Sequence, residues 1–558
     1  MVLIILAVLL AGAMGAQNAA AQEVTFQRLV AADKEPQNWL SYGRTYNAWR
    51  YSPLDQINRS NIRKLVAVWS FQTGDVEGGL QCTPLVADGV MYISTSWNRV
   101  YALDAATGKK LWHYVYEKPK QVAAQFAPWN RGVALGYGLV FMGTLDNHLV
   151  ALDAKTGREV WNVTIEDAGQ CGCNVTGAPL VVKDKVIVGV TGGDTAHRGY
   201  INAFDARTGR HVWRFWVIPG PGEPGSETWK GDSWKFGGGS SWMTGSYDPE
   251  LNLVYWGTGN PAADFYGDDR KGANLYTDST VALDADTGKL KWYFQQIPYD
   301  VWDFDAVYEN VLLDLPYKGQ KRKLLLNVNK GGYTFVVDRT NGKFVSGWPV
   351  VENLNWIKGT DEEGNLVGRN EPVLGKPNFI CPAVAGGRSW NHGAYSPKTG
   401  WFYTTGLEWC ESLTPMVQKP LEGKPFMAGD FEMKPPPKGE PGGHIGAYDP
   451  ITGKQHWIYR SKYPLLASAL ATAGDLIFTG DPEGQFFALD AVTGKKLWSF
   501  NTGSGHRGSP ITYSVKGRQY IATPSGWGSS LAGLMPQLWP ETEAFQPGSA
   551  IFVFALQE

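Results

Sequence analysis

The sequence predicts an all-β fold: an eight-bladed β-propeller with Trp-docking repeats. Three observations predict it. A short unit, Asp-x-x-Thr-Gly followed by three residues and a Trp, recurs along most of the chain. The recurring Trp residues are mostly spaced by about 40–50 residues, the length of a four-stranded blade. Apolar and polar residues alternate in short runs, with no sustained helical period.

The copies follow in order. "LVAVWSF" from Leu65 reads as the closing half of an incomplete unit. Full copies begin with "YALDAATGKKLWHY" at Tyr101, "VALDAKTGREVWNV" at Val150, "NAFDARTGRHVWRF" at Asn202 and "VALDADTGKLKWYF" at Val281. "FVVDRTNGKFV" from Phe335 is a decayed copy; "GAYDPITGKQHWIY" at Gly446 and "FALDAVTGKKLWSF" at Phe487 complete the series. Alternation before the Asp makes a strand. Asp-x-x-Thr-Gly is turn chemistry, with the Asp bonding nearby amides and Gly free to take positive φ. The next strand carries the Trp. "GVMYIST" at Gly89 and "GLVFMGT" at Gly138 supply further strands. Long insertions lie between Trp292 and Trp457; "IPGPGEPGSETWKGDSW" and "KPPPKGEPGG" read as loops. The reading is one propeller domain, residues 22–558, with strands from roughly 38 to 556; seven blades is the alternative count.

Residues 1–21 read as a secretory signal peptide: the apolar run in "MVLIILAVLLAGAMGAQNAAAQ" is about ten residues, too short to span a bilayer, and small residues follow. Export implies a periplasmic protein. The formal net charge of −2 shows no basic surplus and argues against nucleic acid. Five cysteines, Cys82, Cys171, Cys173, Cys381 and Cys410, leave an odd thiol unless chains cross-link. No C-x-x-C-H is present, so no c-type haem is attached to this sequence.

Chemistry concentrates in motifs between the repeats. "DVWDFDAVYEN" from Asp300 to Asn310 holds Asp303 and Asp305 two apart, on one side of an extended segment. Paired carboxylates are costly without a cation between them. "GVTGGDTAHRGY" holds Thr191, Gly192, Gly193 and Asp194, glycines allowing close backbone approach. "YWGTGNPA" offers Asn260, an amide oxygen suited to a hard cation. "WNRGVAL" holds Arg131, "NVTGAPLVV" Thr176, "FGGGSSWMTGSYDP" Ser240 and Trp242, "NVNKGGYTF" Lys330, "RSWNHGAYSP" Asn391 and "PSGWGSSL" Trp527.

This ordered set, over nearly the whole chain after the signal, resembles the quinoprotein alcohol dehydrogenases of the methanol/ethanol type, eight-bladed propellers holding pyrroloquinoline quinone (PQQ) and a metal ion. The resemblance implies PQQ contacts from Gln81, Arg131, Thr176, Thr191, Gly192, Gly193, Ser240, Trp242, Lys330, Asn391 and Trp527, with Trp242 stacked on the quinone. It implies a metal held by Asp194, Asn260, Asp303 and Asp305. Asp303 is the implied general base toward the alcohol hydroxyl. Asp305 matches the extra carboxylate of the lanthanide-dependent members, so a lanthanide is expected, with calcium as the alternative. Cys381 and Cys410 match a family disulfide. The implied reaction is oxidation of a small primary alcohol to an aldehyde, with electrons passed to a separate cytochrome c; the resemblance also allows a homodimer.

Three features depart from that pattern. Asp194 stands where the family has a glutamate, and Gln81 where it commonly has a glutamate touching PQQ. The family's adjacent cysteine pair is replaced by "QFAPWN", leaving Trp129 or Phe126 to cover the quinone face. A bond from Cys82 to Cys171 or Cys173 is a further expectation. The competing functions are a quinoprotein dehydrogenase for a sugar, secondary or polymeric alcohol, and a non-catalytic propeller scaffold. A scaffold has no reason to hold Arg131, Asp194, Asn260, Asp303 and Lys330 together.

Overall fold

The computed structural model describes residues 23–117 and 128–557. The signal-peptide reading and Phe126 lie outside the described residues. Among those described, seven four-stranded sheets and one five-stranded sheet make up the body, and helices are short, such as Phe26–Val30 and Ala168–Cys171. No helix among them is long and apolar enough to cross a membrane.

Each repeat builds its sheet as its turn chemistry dictates. Strands Leu85–Ala87, Val90–Thr95, Arg99–Asp104 and Lys110–Val115 pair in order and antiparallel. At the turn between the last two, Asp104 Oδ1 accepts from the amides of Ala106 and Thr107 and from the Thr107 hydroxyl, at 3.0, 2.9 and 2.8 Å. The same turn recurs at Asp153, Asp205, Asp284 and Asp449. The ring closes through the incomplete copy: Leu65–Gln72 pairs antiparallel with Ala550–Leu556. In the decayed copy, Tyr333–Asp338 pairs with Phe344–Pro349, whose Trp348 falls two residues beyond the repeat's usual position.

The repeat Trp residues join one sheet to the next. Trp112 donates its indole N–H to Ala154 O at 3.0 Å, Trp161 to Ala206 O at 3.2 Å and Trp457 to Ala491 O at 3.0 Å. Each ring lies on the Gly of the following turn. A Cβ on Gly157 would stand 2.5 Å from the Trp112 ring, and on Gly494 2.5 Å from Trp457. The Gly is thus required twice, for positive φ and for the absent side chain. Gly138 and Gly157 both have φ +72°, but a Cβ on Gly138 meets nothing within 4 Å. Gly138→Ala is expected to cost about 1–2 kcal/mol from backbone strain alone, and Gly157→Ala about 1–3 kcal/mol more from overpacking. Thermal unfolding midpoints check this; equal shifts would remove the Trp contact as the cause.

The insertions form two small sheets. Asn378–Ile380 pairs with Cys410–Pro415, which pairs with Gly429–Lys434. A Cys381–Cys410 disulfide ties this sheet together. Cys171 and Cys173 form a second disulfide, and Cys82 is a buried free thiol. The expected bond from Cys82 to that pair is therefore absent. The cause is local: Asp167 caps the turn Ala168–Cys171, and Gly172 at φ +62° folds the chain back, so that the two thiols meet across one residue. Closing so short a loop costs far less entropy than a distant pairing.

Candidate active site

Loops between the sheets converge on one cavity of about 300 Å³. Asp300–Asn310 supplies one wall, between strands Leu290–Gln295 and Val311–Tyr317. It is not the extended segment expected. Asp300 clamps it, its carboxylate accepting from the amides of Trp302 at 2.8 Å and Phe304 at 2.7 Å. Asp303 then takes φ +62°, a conformation that costs a non-glycine residue and is held here by the surrounding contacts. Trp302 and Phe304 are fully buried against Trp356. The alternation still separates the two chemistries: aromatics face the core, while Asp303 and Asp305 line the cavity.

The acidic end is crowded. Carboxylate oxygens of Asp194, Asp264 and Asp303 lie within 4.8 Å of one another. Lys330 Nζ is 2.6 Å from Asp303 Oδ2 and 3.7 Å from Asp305 Oδ2. Asp305 Oδ1 accepts from the Asn260 amide at 3.3 Å. Asn260 Nδ2 donates to Asp264 Oδ1 at 2.8 Å and to Asp194 Oδ1 at 3.3 Å. Burial pushes Asp194 up to about 6, with Lys330 opposing and Asp305 reinforcing the shift. Burial also holds Asp303 well above its usual range, Lys330 opposing and Asp194 adding to it. Burial works against the Lys330 ammonium, but Asp303 and Asp305 more than offset it and keep it protonated. Asp303 Oδ1, Asp264 Oδ2, Asn260 Oδ1 and Ser240 Oγ are buried without a hydrogen-bond partner. Gly193 and Gly259 keep the space open: a Cβ would stand 2.1 Å from Asn260 Oδ1 or 2.2 Å from Asp305 Oδ1. Unpartnered oxygens around uncompensated carboxylates fit a hard cation, whose charge would reverse these upward shifts.

The opposite chemistry is built from arginines. Arg131 lines the cavity, donates to the Thr176 hydroxyl, and lies 4.7 Å from the Trp242 ring centre and 4.8 Å from that of Trp390. Arg507 lies 4.8 Å from Trp390 and donates to Ser389 Oγ at 3.1 Å and to Asn391 Oδ1. No carboxylate among the described residues forms an ion pair with either. Burial pulls Arg131 down to about 10; burial and the charge of Arg131 pull Arg507 down to about 9. Two buried guanidiniums beside indole faces suit a planar anion.

The expected residues divide as follows. Gln81, Arg131, Thr176, Thr191, Gly192, Gly193, Asp194, Ser240, Trp242, Asp303, Asp305 and Lys330 all line the cavity, as does Trp129. Asn260 stands behind Asp194 and Asp305, and Asn391 braces Arg507. Trp527 is not among the lining residues; it packs on Phe545 in the apolar cluster that also holds the lining residues Ala385, Leu531 and Leu534. Arg507, Ser389, Trp390, Tyr308 and Asp264 went unnoticed in the sequence. Tyr308 sits in the acidic stretch itself and Trp390 beside Asn391, so proximity to a motif was the available signal. The mouth is apolar: Val384, Ala385, Met427, Phe431, Leu531 and Leu534. The insertion supplying Met427 is strapped to the Asp194 loop by Phe426 N to Asp194 O at 2.9 Å and Ala196 N to Lys424 O at 3.0 Å.

Comparison with known proteins assigns the family. The family model "PQQ: Glucose/ethanol/alcohol dehydrogenase, beta-propeller domain" matches residues 39–355 and 461–521. The quinoprotein alcohol dehydrogenase PedH of Pseudomonas putida is 37% identical over 579 residues, 99% of this chain and 96% of its own. A quinohemoprotein alcohol dehydrogenase of Comamonas testosteroni is 37% identical over 91% of this chain and 75% of its own. The structure titled "Europium-containing methanol dehydrogenase" superposes with a TM-score of 0.90 at 34% identity, covering 95% of this chain and all of that one. The chain belongs to the quinoprotein alcohol dehydrogenases and is a PQQ-dependent oxidoreductase with a β-propeller domain, and its cavity has an arginine-lined and a carboxylate-lined end.

Proposed function

We propose that the protein oxidises a primary alcohol to an aldehyde in this cavity, with PQQ and a lanthanide ion, calcium being the alternative metal. One observation carries the reading: unpaired guanidiniums and uncompensated carboxylates line the same cavity beneath an apolar mouth. Bound PQQ supplies the hydride acceptor. Arg131 and Arg507 would hold its carboxylates, with Thr176 fixing the Arg131 fork. Gln81, Thr191, Gly192, Gly193 and Ser240 would border it, and Trp242 would lie against its plane. Asp194, Asn260, Asp303 and Asp305 would hold the metal.

Asp303 is the base. Lys330 holds Oδ2, leaving the unpartnered Oδ1 to take the hydroxyl proton. Met427, Phe431, Leu531 and Leu534 would exclude water and bed an alkyl chain. That lining favours a simple alcohol over a sugar, whose hydroxyls would lose water without gaining partners. The europium-containing relative supports the lanthanide. We further infer eight blades joined by Trp docking, export through residues 1–21 to the periplasm, a separate cytochrome c as electron acceptor, and a homodimeric assembly.

The test is reconstitution with PQQ plus lanthanum or calcium, read by the quinone absorbance and a dye-linked alcohol panel. Absence of bound quinone would sink the proposal. Asp305→Ala is expected to lower lanthanum-supported kcat/KM about 10–100-fold and calcium-supported kcat/KM less. Equal losses with both ions would count against Asp305 as the metal selector.

A further inference from the structure

The acidic end contains one more carboxylate than the proposed metal site uses. Asp264 follows Asn260 by four residues, at the end of "GNPAAD". It has no solvent exposure. Its Oδ1 is occupied by the Asn260 amide at 2.8 Å, and its Oδ2 is buried with no partner. Arg270 forms no ion pair with it and donates instead to the carbonyls of Ala263 and Asp300 and to Asn274. An aspartate in that state costs several kcal/mol unless something positive meets it.

The geometry says where that positive group would sit. Oxygens of Asp194, Asp264 and Asp303 lie within 4.8 Å of one another. Two oxygens on one ion stand at most about 4.6–5.2 Å apart at metal–oxygen distances of 2.3–2.6 Å. All three carboxylates can therefore reach a single ion. Asn260 separates Asp264 from Asp194 by donating Nδ2 to both while its Oδ1 points at Gly193. The opposite amide orientation brings Oδ1 to the same point, and the two orientations are chosen by the charge they meet.

We propose that Asp264 is a direct ligand of the metal ion, making this a four-carboxylate centre of Asp194, Asp264, Asp303 and Asp305. This rests on the metal-dependent reading given above and goes beyond it. Four carboxylates against the single Lys330 ammonium leave three negative charges uncompensated. A trivalent ion neutralises them; a divalent ion leaves one behind in a dry site. Asp264 therefore sets the preference for a trivalent ion, in concert with Asp305.

The experiment measures metal binding rather than turnover. Terbium is titrated into the protein loaded with PQQ and followed by its sensitised luminescence. Lanthanum and calcium are ranked by displacement, and retained metal is counted after dialysis. Asp264→Asn keeps the side-chain shape and the acceptor for Asn260; Asp264→Ala removes both. Asp264→Asn is expected to weaken terbium and lanthanum about 10–100-fold, with a smaller loss for calcium, so that the lanthanum-to-calcium ratio falls. Thermal midpoints identify a variant that has lost its fold, and Asp264→Asn then carries the decision. Unchanged terbium affinity in Asp264→Asn, with binding intact in the unaltered protein, overturns the inference alone. No binding of any of the three ions by the unaltered protein overturns the metal-dependent reading itself.

Discussion

Asp303→Asn is expected to reduce alcohol turnover about 10²–10⁴-fold, the range a positioned general base contributes. PQQ should still bind with its usual absorbance. The two outcomes separate because the substitution keeps volume and leaves the cofactor's anion-binding arginines intact. Lys330 keeps Asp305, 3.7 Å away, as its partner, so the ammonium is not stranded. The loss should appear in kcat and in kcat/KM together, as for an interaction made only in the transition state. A variant that turns over alcohol at the unaltered rate would remove Asp303 from the proton-transfer role. The φ of +62° at this residue adds a detail. Asparagine tolerates the left-handed region well, so strain relief cannot account for the loss.

Arg507→Leu is expected to weaken PQQ binding about 10–100-fold, the value of a single charge-assisted hydrogen bond of about 1.5–3 kcal/mol. Arg507→Lys should recover part of the loss, keeping the charge but not the planar fork. The rise in unfolding midpoint on adding PQQ should shrink in the same order, because ligand stabilisation follows affinity. Arg507 is held at Ser389, Asn391 and the Leu466 carbonyl at 3.1 Å, with no carboxylate against its charge. Holding such a group in place without its ligand is destabilising, so its value lies in the bound state. Unchanged PQQ affinity in Arg507→Leu would refute it.

Much of the repeat was legible because each copy carries its own strand, turn and Trp within fourteen residues. Local chemistry decides local structure there, as the bonds from Asp104 to the Thr107 turn show. Trp348 escaped notice because its copy has Asn341 for Thr and its Trp sits two places late, and only the packing on Gly453 reveals its part. The site was legible wherever a motif held several of its groups, as in Asp303 with Asp305. It was illegible where one residue arrived alone from a distant loop. Asp264 in "PAADF" and Arg507 in "GHRGS" carry no repeat or paired-charge signal, and their place shows only with the Asn260 amide on Asp264 and with Arg507 buried beside Trp390. The cysteines failed for the opposite reason. Proximity to the cofactor loops suggested a long-range bond, whereas a capped turn closes Cys171 on Cys173.

The pairing of Leu65–Gln72 with Ala550–Leu556 sets a timetable for the chain. As the polypeptide emerges from its N-terminus, the early strand has no partner until the last seven-residue strand arrives. Nearly five hundred residues must fold between the two halves of the clasp. Such a distant contact is slow to form and leaves an open edge meanwhile. Circularity thus makes closure of the ring wait until the strand Ala550–Leu556 has been made and reaches Leu65–Gln72. A frameshift or protease nick that removes only those seven residues would undo a cavity whose own ligands it never touches.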